Sequence, residues 1–429
     1  MKLENSKGTK DFGPEEKIVR EEVISSLKSV FELYGFSPLE TPVLTRYELF
    51  ESKYSIGSEM LKETFSLKDQ GDRKLGLRFD LTVPLAKYVG LNPELKMPFK
   101  RYEIGRTFRD GPVKTGRMRE FWQCDVDIVG ASSMLADAEI LAVVNSAFNQ
   151  LGLSIVIKLS NRKFLEGVLD FSGVNKDKRF DAIISIDKLE KLGENEVIKE
   201  MGQKGIPDDV VTKIMSIINM KGSNKELIER LKGLIKSGIG VEGLKEVEEI
   251  ISYCNSFGVE SLEFSPSLAR GLAYYTGPVY EVFLKDSDIK ISAAAGGRYD
   301  KMIGAFLGVG KEYPATGIAF GLEVITEALK KKKKFEKKSV TQAFIIPIKT
   351  GQESIKITEE LRKAGIKTEM DLMSRGISKN LAYANSLNIP FTVIIGEQEL
   401  KENKVKLRDM KTGKEELLSV KDVVQKLKQ

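Results

Sequence analysis

The densest chemistry in the chain lies between Pro98 and Gly130, where charged side chains recur at alternate positions in two runs of strand character joined by a loop rich in Gly, Pro and Lys. Alternate residues of a strand face opposite ways. One side of the first run carries Arg101, Glu103, Thr107 and Arg109, and one side of the second carries Arg117, Arg119, Phe121, Gln123, Asp125 and Asp127. Trp122, Cys124, Val126 and Ile128 take the other side and predict packing on helices. An anonymous sheet of this kind reads first as a solvent-facing strand pair laced with salt bridges. Rows of charge on both strands, with arginines gathered toward the loop, favour a site. A phosphate-like anion fits the arginine end, and a cationic or NH-donating group fits Gln123, Asp125 and Asp127.

The inventory narrows that chemistry. The 429 residues contain no histidine, which excludes Ser-His-Asp and Cys-His nucleophilic sites, His-ligated metals and imidazole acid–base catalysis. Carboxylates, arginines, lysines, tyrosines or a ligand-borne metal must do the work. Reactions that stabilise phosphate charge without a protein base suit this set. Cys124 and Cys254 are too few for a disulfide framework, so a reducing cytosol is expected. The N-terminal residues show no apolar core of a signal peptide, and no segment has the length of a membrane span. A net charge of +6 permits a polyanionic partner without requiring one.

Elements that would position these groups follow from spacing. Residues 14–34 repeat Ile18, Ile24, Leu27, Phe31 and Tyr34 on one stripe and predict a helix stopped by Gly35. Pro42 makes residues 36–44 extended. A strand over 75–79 should feed a helix opened by Asp80, a natural N-cap at a place where strand ends commonly line sites. A helix over 131–150 and a strand over 155–159 precede a long Lys/Glu-rich helical region, 171–256. Arg270 then stands four and five residues before Tyr274 and Tyr275, ahead of a strand at 279–284. The lysine run 331–338 marks a linker, and 340–429 alternates strand and helix patterns as a small α/β domain does.

Six blocks carry a resemblance. Phe108-Arg109 with Gly116-Arg117-Met118-Arg119-Glu120-Phe121-Trp122-Gln123-Cys124-Asp125 resembles motif 2 of class II aminoacyl-tRNA synthetases in its histidine-specific form. Lys7-Gly8-Thr9-Lys10-Asp11 is similar to the N-terminal signature of histidyl-tRNA synthetases, and the segment around Pro42 resembles the dimer-interface motif 1. Leu268-Ala269-Arg270-Gly271-Leu272-Ala273-Tyr274-Tyr275-Thr276-Gly277 resembles the histidine-specific motif, with Ala295-Gly296-Gly297-Arg298-Tyr299-Asp300 after it. Gly317–Glu323 resembles motif 3. The resemblance implies an α+β catalytic domain (1–170 and 257–330) with the class II antiparallel sheet flanked by helices. It also implies a helical insertion (171–256), a linker (331–339) and a C-terminal α/β anticodon-binding domain (340–429).

The implied activity is ATP-dependent conversion of histidine to histidyl-adenylate and transfer to histidine tRNA by a cytoplasmic homodimer, with Mg²⁺ travelling on the phosphates. Arg109 is then the α-phosphate ligand and Arg117 the β/γ ligand. Arg270 bridges the substrate carboxylate and α-phosphate, and no protein metal site is expected. Asp80, Thr82 and Gln123 hold the α-ammonium, while Asp127, Tyr275 and Tyr274 form the imidazole pocket. Lys114 in the Gly111–Gly116 loop would meet the acceptor end, and Arg375, Lys379, Lys404, Lys406 and Arg408 could meet tRNA phosphates.

Three positions depart from the pattern. Asp110 follows Arg109 directly, Ala273 stands where the family often has Asp, and Val324 replaces the motif 3 arginine, which leaves Arg298 or Arg106 as candidate substitutes. The Val324 departure sustains an alternative, a histidine-sensing regulatory paralogue, although such paralogues typically lack the C-terminal domain. A histidine-free member of this family could also be translated while charged histidine tRNA is scarce.

Overall fold

In the computed structural model, which describes residues 2–51, 61–113, 117–271, 274–308, 311–332 and 337–428, β1 (Ser37–Pro38) follows a helix over Pro14–Leu33. A three-stranded sheet of β2 (Leu44–Arg46), β3 (Ser66–Lys68) and β4 (Lys74–Leu77) comes next. The charged runs then form the hairpin β5 (Phe99–Phe108) and β6 (Glu120–Val129). After it come β7 (Ile155–Asn161), β8 (Leu262–Phe264), β9 (Pro278–Leu284), β10 (Ala294–Arg298) and β11 (Ala315–Gly321). The eight-stranded order is β1-β5-β6-β11-β10-β9-β7-β8. Its six central strands pair antiparallel, and parallel β1 and β8 close the edges.

Both faces of the hairpin are buried, for different reasons. Cys124, Val126 and Ile128 are at most 2% exposed, because the Met134–Leu151 helix lies against this side. That helix is started by Ser133, whose side chain accepts from Leu135 N, and stopped by Gly152 in the left-handed region. Phe320 of β11 meets Phe31 and Phe148 here with ring centroids 5.5 and 5.9 Å apart. Burying each such ring contributes about 1.5–3 kcal/mol. Trp122 stays half-buried, since it lies near the loop end of the hairpin, opposite Arg106. The opposite face buries Arg101, Glu103, Thr107, Gln123, Asp125 and Asp127, so it is not the solvent-facing surface that an anonymous charged sheet would present.

The region between β7 and β8 is helical, from Arg162–Ser172 through Gly238–Ser256. These two helices cross at glycine: a Cβ on Gly167 would come within 2.4 Å of Gly240 Cα. The chain divides into two compact units, residues 1–10 with 23–332 and residues 11–22 with 333–429. In the second unit, β12 (Ala343–Ile348), β13 (Thr368–Met370), β14 (Phe391–Gly396), β15 (Val405–Asp409) and β16 (Glu415–Leu418) form a sheet ordered β13-β12-β14-β15-β16. Its helices cover a core that includes Ile345, Leu361, Val393 and Val423. No described helix is long and apolar enough to cross a membrane.

Candidate active site

The buried polar face of β6 is the floor of a cleft enclosing about 520 Å³, including its open mouth, a size suited to a small-molecule ligand. Eight of the nine residues singled out from the sequence line it: Asp80, Thr82, Arg109, Gln123, Asp127, Arg270, Tyr274 and Tyr275. Arg117 is outside the lining and 46% exposed, with Nη2 donating to Glu63 Oε2 and Oε1 at 2.9 and 3.1 Å. The reason is local. β6 begins only at Glu120, so the alternation that placed Arg117 and Arg119 on its polar side does not extend to them.

Strand β4 ends at Leu77 and the next helix begins at Thr82, which leaves Phe79 and Asp80 in the turn between them. Asp80 Oδ1 accepts from Val83 N at 3.0 Å, so the same carboxylate caps the helix and faces the cleft. Burial raises its pKa, opposed by the Val83 amide and by Arg109.

Below the cleft, Arg101 is fully buried. Its Nη2 lies 2.9 Å from Asp127 Oδ2 and donates to Leu81 O at 3.0 Å. Burial opposes its charge, but Asp127, Asp125 and Glu103 outweigh that and raise its pKa. Glu103 Oε1 is taken by Thr41 and by Arg78 Nη1, the latter at 2.8 Å. Asp127 Oδ1 accepts from the Tyr299 hydroxyl at 2.5 Å. Gly317 is required beside it, since a Cβ there would sit 2.0 Å from Asp127 Oδ1. Tyr299 stands in the sequence only as part of the Ala295–Asp300 block, and nothing in its spacing marks it as the partner of Asp127.

Several buried atoms here have no hydrogen-bond partner: Gln123 Oε1, Asp125 Oδ1, Asp127 Oδ2, Glu103 Oε2, Arg101 Nε and Nη1, and Arg270 Nε. Each such atom costs about 1–3 kcal/mol unless something pairs with it. Burial also lifts the Asp125 pKa well above the usual range, and Arg101 offsets this only in part.

Two guanidiniums complete the lining. Arg109 lies 4.2 Å from the Phe79 ring centroid and 5.1 Å from that of Phe121, and burial pulls its pKa down. Arg270 Nη1 pairs with Glu281 Oε1 at 2.7 Å, with the guanidinium 5.5 Å from the Tyr275 ring centroid. Burial works against the Arg270 charge, but Tyr275, Glu281, Tyr274 and Asp187 raise its pKa overall. The Tyr274 and Tyr275 rings are 4.7 Å apart, and burial raises both phenol pKa values. They therefore remain hydroxyls at neutral pH. The arginine end has the charge to suit an anion, and Gln123 with the β6 carboxylates offers acceptors for NH donors.

Neither candidate for the missing motif 3 cation serves. Arg298 is 2% exposed on the far face of the sheet, where it pairs with Asp137. Arg106 faces away beside Trp122 and pairs with Glu120 at 2.8 Å. Asp110 is taken by Arg119 Nη1 at 2.9 Å, and Arg119 N donates to Gly8 O, which ties the N-terminal signature to the hairpin loop. In the C-terminal unit Arg375 is paired with Asp371, Arg408 with Glu415, Lys404 with Glu402, and Lys406 with Glu399. Lys114 and Ala273 lie outside the described residues.

An antiparallel sheet whose polar face carries paired guanidiniums and ammonium acceptors, together with a separate five-stranded α/β unit, is the architecture of a class II aminoacyl-tRNA synthetase. The chain belongs to the histidyl-tRNA synthetase family, whose model matches residues 8–325, and an anticodon-binding domain matches residues 342–429. It is 45% identical over 417 residues to histidine–tRNA ligase 1 of Bacillus cereus, with 97% of each chain covered. It is 37% identical to histidine–tRNA ligase of Clostridium tetani, covering 98% of this chain and 97% of the other. Among solved structures, histidyl-tRNA synthetase from Nostoc sp. PCC 7120 superposes with a TM-score of 0.88 at 29% identity, covering 100% of this chain and 99% of that one.

Proposed function

We infer that this chain is a histidine–tRNA ligase, which activates histidine with ATP and passes the histidyl group to its tRNA. One observation of the site carries the reading furthest. Arginines at one end of a buried strand face, and unpaired acceptors further along it, match an amino acid held between a phosphate and an NH-bearing side chain.

The ionised carboxylate of histidine attacks the α-phosphorus in line. An O–P bond forms, the bond to pyrophosphate breaks, and pyrophosphate leaves with its electron pair. No protein base is needed. The problem is bringing two anions together, and cations fixed beforehand solve it. We assign Arg109 to the α-phosphate and Arg270 to the carboxylate and α-phosphate together. Arg117 meets the β/γ end once it leaves Glu63. Mg²⁺ comes as part of the nucleotide substrate, bound to its phosphates. Asp80, Thr82 and Gln123 take the α-ammonium, and the ring lies between the β6 carboxylates and the hydroxyls of Tyr274 and Tyr275. A pocket with such polar partners rejects a side chain that cannot pair with them far more strongly than an apolar pocket would. In the second step a hydroxyl of the terminal adenosine attacks the acyl carbon and AMP leaves. We assign residues 171–256 to closure over the acceptor end, residues 340–429 to the anticodon, and motif 1 to a homodimer interface, in the cytoplasm.

ATP–pyrophosphate exchange measured with each amino acid tests this. Exchange driven by histidine alone is expected. Exchange with another amino acid overturns the specificity, and histidine binding without exchange points to the sensing paralogue.

A further inference from the structure

No residue of the helical region 171–256 lines the cleft, yet one corner of that region reaches the chain at Arg270. Asp187 follows the helix Arg179–Ile186 and closes its last turn by donating from its N–H to Ile183 O at 2.9 Å. An exposed aspartate on a free corner would simply be solvated. Asp187 is exposed, but its corner is held on two sides. Ser185 and Lys188, which flank it, both donate to Glu200 of the helix Glu194–Gln203, at 3.0 and 2.8 Å. Three residues after Asp187, Glu190 accepts from Lys158 of β7. The corner is thus fixed to its own helices and to the eight-stranded sheet.

Both of its carboxylates bear on Arg270. Asp187 Oδ2 lies so near the main chain of Gly271 that a Cβ there would stand 3.1 Å from it. Burial of the carboxylate raises its pKa, and Arg270 and the Gly271 amide act against that. Asp187 in turn is among the groups that hold the Arg270 pKa up. Glu190 acts one step further away. Lys158 stands directly opposite Glu281 on the β7–β9 ladder, and Glu281 is the carboxylate that pairs with Arg270 Nη1 at 2.7 Å. Lys158 sends its ammonium to Glu190 instead, 4.7 Å from the Phe283 ring centroid, which leaves Glu281 to Arg270. Arg270 Nε has no hydrogen-bond partner, so the carboxylates around the guanidinium decide where it points.

We propose that Asp187 and Glu190 are positioning residues for Arg270. Asp187 holds the Arg270–Gly271 segment directly, and Glu190 keeps Lys158 from competing for Glu281. This rests on Arg270 being the cation that joins the substrate carboxylate to the α-phosphate. Such a cation accelerates the reaction by standing in place beforehand. Through this corner the helical region acts on chemistry it does not touch.

The test is a double-mutant cycle read by histidine-dependent ATP–pyrophosphate exchange on the full chain. Asp187→Asn should lower kcat about threefold to tenfold, the range for residues coupled in one network, with KM for ATP and the thermal midpoint unchanged. In the Arg270→Ala background the same substitution should change kcat by less than about twofold, because no guanidinium remains to be placed. Glu190→Gln should cost about twofold to fivefold. Adding Lys158→Met, which removes the competitor and keeps an apolar stem beside Phe283, should restore the wild-type rate. That second pair carries the test if Asp187→Asn does not fold. The same loss from Asp187→Asn in both backgrounds, or no loss in wild type, overturns the assignment. A Glu190→Gln loss that Lys158→Met fails to reverse overturns it too. Wild-type protein without exchange would defeat the proposed function and this inference together, whereas an active wild type with additive losses defeats the inference alone.

Discussion

Two clusters of buried charge lie back to back on the same strands. On the helix side, Arg298 donates to Asp137, to Ala131 O and Ser133 O at 3.0 and 3.1 Å, and to Asp300. Thr316 donates to the other Asp137 oxygen at 2.8 Å and exchanges a hydrogen bond with Tyr280. No side-chain atom of Arg298, Asp137, Thr316 or Tyr280 is among the unpaired buried atoms. One residue along β11, Gly317 pairs with Asp127 on the cleft side, where Gln123, Asp125 and Arg270 all leave atoms without partners. Both clusters are largely buried, although Arg270 on the cleft side keeps a side chain 18% exposed. They differ in saturation. A closed set of partners holds the sheet together, and an open set on the same sheet has room for a ligand.

The largest effect should come from opening the closed set. Asp137→Ala leaves the Arg298 guanidinium buried without its main partner and should cost about 3–5 kcal/mol, read as a lower urea midpoint. A change below about 1 kcal/mol would mean that the backbone carbonyls and Asp300 suffice, and the contrast between the faces would weaken. On the open side the sign of the result changes. Arg270→Ala should reduce adenylate formation about 10²–10³-fold with little shift in the urea midpoint, because the residue helps the reaction more than the fold. Normal exchange in that variant would remove Arg270 from the mechanism.

Much of this contrast could be read from alternation. Parity separated Gln123, Asp125 and Asp127 from Cys124, Val126 and Ile128, and the structure keeps that division. The Asp80 turn was legible because a strand, a capping residue and a helix follow one another within a few positions. Saturation was not legible. Whether Asp127 is free depends on Tyr299, 172 positions away, and on Arg101 across the hairpin. In the sequence Arg298 reads as available as Arg270, whereas the fold sets Asp137 against it. Arg117 lies outside the cleft lining for a simpler reason: parity holds only within a strand, and β6 starts three residues later. Alternation along a strand tells which face a side chain takes, but its partners come from segments that only the fold brings near.

Smaller effects belong at the surface, where water substitutes for lost partners. Arg117 and Glu63 form a pair with side chains 46% and 23% exposed. Arg117→Ala should leave the urea midpoint in place and raise KM for ATP about twofold to fivefold, the worth of one exposed charge contact. Glu63→Gln should lower that KM by releasing Arg117. A rise with Glu63→Gln would show that the pair must stay intact.

The mildest test concerns a set of partners that is closed but wet. In the helical region Glu200 accepts from Lys188 and Ser185 and pairs with Lys204 at 2.7 Å. Burial pushes its pKa upward, yet the hydrogen bonds from Lys188, Lys204 and Ser185 outweigh it and hold the group at about 2 against an ordinary 4.5. A depressed folded pKa means that the stabilisation is present above about 4.5 and disappears as pH falls through about 2. The thermal midpoint of wild type should therefore exceed that of Glu200→Gln at pH 7, and the gap should close across that acid window. Asp125 predicts the opposite slope: burial raises its pKa, so its contribution is greatest when it is protonated and is lost as pH rises. A gap for Glu200→Gln that ignores pH would mean its partners act through packing alone, and saturation would then matter only where water is excluded.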